Sequence, residues 1–197
     1  MSCPEYDPAA RQTLLGVARK AIDLGLDSHG AIDASVVVDI DGLQPQLREP
    51  RATFITLRKF AALRGCTGSL EPRRPLVEDV AENACHTAFD DPRFPQLVRA
   101  ELDDVRVEIS ILSPLSEMRV SSERDLLDRL NPVMGLVIES AGRRGTFLPK
   151  VWESLPDPAE FLAELKHKAG IPVGSWPDDV RVLRYHTETF AEGSALP

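Results

Sequence analysis

Val105-Arg106-Val107-Glu108-Ile109-Ser110-Ile111 alternates aliphatic with polar side chains without a break. A strand repeats every two residues, so the segment lays its aliphatic side chains on one face and its arginine, glutamate and serine on the other. One-sided burial of this kind belongs to antiparallel sheets, since parallel strands covered on both faces read as continuous apolar runs. Upstream, Arg51 to Leu57 is apolar and β-branched enough for a second strand, and a short one is expected over Val36–Ile40. Downstream, strands are expected over Gly135–Glu139, Thr146–Leu148 and Val180–Tyr185, the last followed by a frayed tail. Helices fall between them in no regular alternation. The first has Asp7 as cap, Pro8 at its first position, and Leu14, Leu15, Ala18, Ala21 and Ile22 at helical spacing up to Gly25. Others are expected over Leu76–Phe89, over Ser122–Leu130, and from Asp157 to Lys168 before Gly170. The fold class is therefore α+β, a mostly antiparallel sheet with flanking helices.

Length and composition set limits on function. The chain has 197 residues, 43% hydrophobic and 27% charged, which suits one compact globular domain. That domain is expected over residues 7–192, with residues 1–6 and 193–197 as flexible tails. With 23 basic against 31 acidic residues the formal charge is −8, a balance that argues against nucleic acid as the main partner. No apolar run approaches the ~20 residues of a membrane helix, and Met1-Ser2-Cys3-Pro4-Glu5 shows no signal-peptide pattern. A cytoplasmic protein is the expectation. Cys3, Cys66 and Cys85 are odd in number and widely spaced, so they read as reduced thiols. No cysteine or histidine pair has the spacing of a zinc site, and no metal is expected.

The segment richest in chemistry is Leu63-Arg64-Gly65-Cys66-Thr67-Gly68, a thiol between two glycines behind a guanidinium. Cys66 is the candidate nucleophile, because Arg64 or nearby backbone amides would favour its thiolate; the alternative is a small filler in a tight turn. Gly65 and Gly68 allow close backbone approach or positive φ. Arg64 is suited to bind an anion or to bridge to Asp91. Asp91 and Arg93, in Asp91-Pro92-Arg93-Phe94-Pro95, would fix their loop on the sheet or contribute to binding. Cys85 lies near the apolar face of its helix, and His86 on the flank.

Taken in order, Phe54-Ile55-Thr56-Leu57, Leu63-Arg64-Gly65-Cys66-Thr67-Gly68, Pro75-Leu76, Asp79-Val80, Asn83-Ala84, Asp91-Pro92-Arg93-Phe94-Pro95, Phe147-Leu148-Pro149-Lys150-Val151 and Lys168-Ala169-Gly170-Ile171-Pro172 resemble the AMMECR-domain family, whose prokaryotic members are protein A of the AmmeMemoRadiSam system. The resemblance runs from about Leu14 to Glu192. It implies an α+β fold with two lobes and the arginine-glycine-cysteine segment at a cleft. It also implies a pathway shared with a Memo-type protein and a radical SAM enzyme as partners. It names neither substrate nor cofactor. Two positions depart from the family pattern: Thr67 stands where an aliphatic residue usually follows the cysteine, and Met134 where many members carry a histidine before the glycine of the later strand.

Two functions fit this reading. One is an enzyme that uses Cys66 on a small-molecule substrate; the other is a non-catalytic partner or substrate-presenting module for a redox enzyme.

Overall fold

The computed structural model describes residues 5–28, 30, 37–172 and 174–193. The chain forms two compact units, residues 1–112 with 188–197 and residues 113–187, so the second is inserted into the first. Each has its own four-stranded sheet, where the sequence suggests one.

The first unit begins with α1 (Pro8–Asp27), capped by Asp7, whose carboxylate accepts from Ala10 N at 2.7 Å. A short α2 (Pro45–Arg48) precedes the hairpin of β1 (Thr53–Lys59) and β2 (Ala62–Gly68). Next come α3 (Leu76–Cys85), a π-helical turn over His86–Asp90, a 3-10 turn over Arg99–Glu101, and β3 (Val105–Leu112). The strand β8 (Thr187–Ala191) returns from the second unit and completes the order β2-β1-β3-β8. β1 is antiparallel to both β2 and β3. Glu192 N donates to Val107 O, and Ser110 meets Thr189, so β8 is antiparallel to β3 as well.

The alternation along β3 sets which of its faces is buried. Val105, Val107, Ile109 and Ile111 are buried, with Ile55 and Leu57 of β1 beside them. They join Leu14, Ala18, Ala21 and Ile22 of α1 and Val77, Val80, Ala81 and Ala84 of α3 in one core. Full burial of each larger aliphatic contributes about 1.5–3 kcal/mol. The pairing of β1 with β2 slips once: Leu57 faces Gly65 and Arg58 faces Leu63, which leaves Arg64 as the extra residue of a β-bulge.

In the second unit β4 (Ser116–Glu117), β5 (Gly135–Ser140), β6 (Arg143–Phe147) and β7 (Arg181–Tyr185) form a sheet in the order β4-β7-β5-β6. It packs with α4 (Glu123–Arg129), a 3-10 turn over Pro149–Glu153, and α5 (Pro158–Lys168). Asp157 caps α5 by accepting from Ala159 N and Glu160 N. Trp152 stacks on Phe161 with ring centroids 3.8 Å apart, at the centre of a second, separate core.

Four expectations need correction. The Val36–Ile40 strand does not form over its described part, residues 37–40; Val36 itself lies outside the described residues. The helix expected to Phe89 is α-helical only to Cys85 and then widens, as Thr87 Oγ1 bonds back to Asn83 O at 2.6 Å. The tail after Tyr185 contains β8, hidden because only Phe190 of its side chains is buried. Of the residues assigned to the N-terminal tail, Tyr6 is 1% exposed, and Glu5 N donates to Glu188 Oε2 at 2.7 Å. Cys3 and residues 194–197 lie outside the described residues.

Candidate functional site

The edge strand β2 carries Cys66 opposite Thr56 of β1, whose hydroxyl donates to the cysteine Sγ at 3.4 Å. An edge strand leaves backbone donors and acceptors without a neighbouring strand. At Cys66 a side-chain pair supplies the partners: Cys66 N donates to Asp91 Oδ2 at 2.9 Å, and Arg93 Nη2 donates to Cys66 O at 2.8 Å. Asp91 also accepts from Arg93 N at 3.1 Å, Nε at 2.9 Å and Nη2 at 2.7 Å. Its side chain is almost wholly buried, while that of Arg93 is 55% exposed. The Arg93 guanidinium and the two backbone amides hold the Asp91 carboxyl far below the usual carboxylate range. Arg93 is held above its ordinary value, first by Asp91 and then by the negative charge that Cys66 can carry.

Arg64 is elsewhere. The bulge sends it to Glu101, which accepts from Nε at 3.2 Å and Nη2 at 2.8 Å; Nη2 also reaches Gln96 O at 3.3 Å. Lys59 Nζ donates to the same carboxylate at 3.0 Å. Glu101 is pulled down to about 2, chiefly by the Arg64 hydrogen bonds, with Lys59 next among the groups that lower it. The expected Arg64–Asp91 bridge is thus replaced by Arg64–Glu101, and Asp91 takes Arg93 instead. Without the bulge, Arg64 and Cys66, two residues apart, would share a face.

The glycines serve close approach, since neither Gly65 nor Gly68 has positive φ. A Cβ on Gly65 would stand 2.7 Å from Thr87 O of the π-helical turn, and one on Gly68 would collide with Thr53 O. Thr67 Oγ1 meets Thr87 Oγ1 at 2.6 Å, so the hydroxyl that departs from the family pattern joins β2 to the helix behind it. Below lies a buried polar cluster. Asp79 Oδ2 accepts from Thr53 N at 2.9 Å, Thr53 Oγ1 at 2.6 Å and Asn83 Nδ2 at 2.9 Å. Desolvation nevertheless raises the Asp79 carboxyl above its usual value.

Sequence reasoning gave no role to Thr56, Thr87, Glu101, Asp79 or Asn83. A signal existed for two of them: Asp79 and Asn83 are polar residues four apart on the apolar face of α3, where only a hydrogen-bonded pair is tolerated. Glu101 had none, because its partner is set by the bulge. Cys85 donates its S–H to Ala21 O at 3.2 Å, and burial pushes its thiol up to about 12. His86 is exposed. In the second unit Met134 is buried, its carbonyl accepts from Trp152 Nε1 at 3.0 Å, and the Tyr185 ring covers Gly135 so closely that no Cβ would fit. Among the described residues, no group of three His, Cys, Asp or Glu side chains could hold a metal ion.

Comparison with known proteins agrees with this architecture. A protein of Methanothermobacter thermautotrophicus is 36% identical over 95% of this chain and 98% of its own length. One from Methanococcus aeolicus is 39% identical over 78% of this chain and 79% of its own. The crystal structure of an uncharacterised protein from Pyrococcus horikoshii superposes with a TM-score of 0.80 at 34% identity, covering 91% of this chain and 90% of the other. The family model AMMECR1 matches residues 15–190. With the ordered motifs, the α+β fold and these relatives in agreement, the chain belongs to the AMMECR1 family.

Proposed function

We propose that this protein is a cytoplasmic enzyme that acts on a small molecule through the Sγ of Cys66, in a pathway shared with a Memo-type protein and a radical SAM enzyme. The observation that carries the reading is the setting of Cys66, with the Thr56 hydroxyl on its sulfur and the half-exposed Arg93 guanidinium, fixed by Asp91, on its carbonyl. The thiol lies on an edge strand and is partly exposed, so an electrophile can reach it for covalent attack. Arg64 does not act on the sulfur in this reading; it braces the bulge. Asp91 is a positioning residue, since it fixes Arg93 and the Cys66 amide together.

The test is alkylation of the folded protein by iodoacetamide across pH, with each cysteine followed by peptide mass. Cys66 is expected to react in the folded protein, and Arg93→Gln to change its rate several-fold at a fixed pH while the protein stays folded. A Cys66 rate unmoved by Arg93→Gln, or seen only on unfolding, sinks the nucleophile. Co-purification with the two partners at low salt tests the pathway assignment.

A further inference from the structure

The turn between β1 and β2 consists of Phe60 and Ala61, both left-handed, with φ of 48° and 71°. A two-residue hairpin turn of this kind favours Asn-Gly, and a bulky side chain there is strained. Core burial does not offset the strain, because Phe60 is 77% exposed. Strain kept at an exposed aromatic is a mark of function.

Beside the turn lies a cavity of about 520 Å³, the size of small-molecule sites. It is bounded by the turn, the Asp103–Glu108 stretch and the end of β8, with Ala191 on its apolar side. Most of its charges are engaged. Glu192 is held by Arg19 and by Val107 N, Asp104 lies 3.9 Å from Lys59 Nζ, and Glu108 lies 3.8 Å from Arg58 Nε. Arg106 and Asp103 remain, both exposed and without a hydrogen-bond or ion-pair partner among the described residues. Arg106 is also placed: a Cβ on Gly193 would stand 2.9 Å from its Nη1, so the guanidinium rests on the chain that follows β8.

We propose that this cavity binds a small zwitterion with a flat ring, the aromatic α-amino acids being the simplest of the class. The ring stacks on Phe60, the carboxylate takes the fork of Arg106, and the ammonium faces Asp103. The site is independent of Cys66.

Isothermal titration of the whole protein with L-tryptophan, tryptamine and indole-3-propionate tests it. Tryptophan should bind saturably and at least tenfold more tightly than either analogue. Arg106→Gln should weaken tryptophan at least tenfold and erase its advantage over tryptamine. The double variant Phe60→Asn/Ala61→Gly relaxes the turn, so it should melt at higher temperature than the parent yet lose tryptophan binding. Absence of saturable tryptophan binding, an analogue that binds as tightly, or full binding by the relaxed turn would each overturn the proposal.

Discussion

Glu101, the partner of Arg64 in β2, carries a clear pH signature. Its carboxyl falls from an ordinary 4.5 to about 2 because the folded chain sets Arg64 and Lys59 against it. The charged form is favoured by folding, so its contribution is whole above the pH at which the unfolded glutamate ionises and disappears as pH drops toward the folded value. The size is on the order of 3 kcal/mol at neutral pH. Asp91, also depressed, acts in the same direction at still lower pH. Glu101→Gln should therefore cost roughly 2–3 kcal/mol at pH 7, as it leaves Arg64 in a buried site with a weaker partner. Urea midpoints at pH 7 and pH 3 check this: the gap between parent and variant should shrink at the lower pH, and a constant gap would refute it. A second expectation concerns Cys85, which should resist iodoacetamide at pH 8 until the protein unfolds, its thiol being pushed up to about 12. The sequence made Cys85's burial and the pairing of the Asp91 loop with the cysteine segment legible, since apolar spacing and punctuated loops are local signals. It concealed the partner of Arg64, because the face on which that side chain emerges depends on a bulge set by pairing with a strand.

At the scale of elements, β2 is held to the helix behind it by contacts that require small or hydroxylated residues. Gly65→Ala would force a methyl against the Thr87 carbonyl, and helical backbone does not yield like a side-chain end; a loss of about 1–3 kcal/mol is expected from chemical denaturation. Thr87→Val tests the same seam by removing the hydroxyl that meets Thr67 Oγ1 and Asn83 O. A cost of about 1–2 kcal/mol is expected, and a neutral result would show that water replaces the hydroxyl. The helices and most strands were legible because their periodicities are strong: β3 alternates over its full length, and α1 and α5 carry their own caps. The strand β8 was not, since Thr-Glu-Thr-Phe-Ala buries a single side chain and owes its place to β3 and to Glu188 and Glu192.

For the whole molecule, the two cores make a division that composition and length do not show. Both tryptophans, Trp152 and Trp176, lie in the second unit, whereas Cys85 lies in the first. Tryptophan fluorescence and Cys85 labelling therefore report on different units of one chain. Phe161→Ala, which removes the ring stacked on Trp152, should weaken the second unit by about 3–5 kcal/mol and move the fluorescence transition to lower urea while leaving Cys85 protection unmoved. Equal movement of both would establish a single cooperative transition. The insertion of one unit inside the other also governs how the protein is made. Arg11 and Arg19 of α1 emerge from the ribosome before the inserted unit, but the carboxylates that hold them, Glu188 and Glu192, emerge only after it. The nascent first sheet waits with β3 as an open edge while the whole inserted unit is synthesised, a template for pairing with other chains. Translation speed and chaperone supply should thus affect the yield of this protein more than that of one whose sheet closes in chain order.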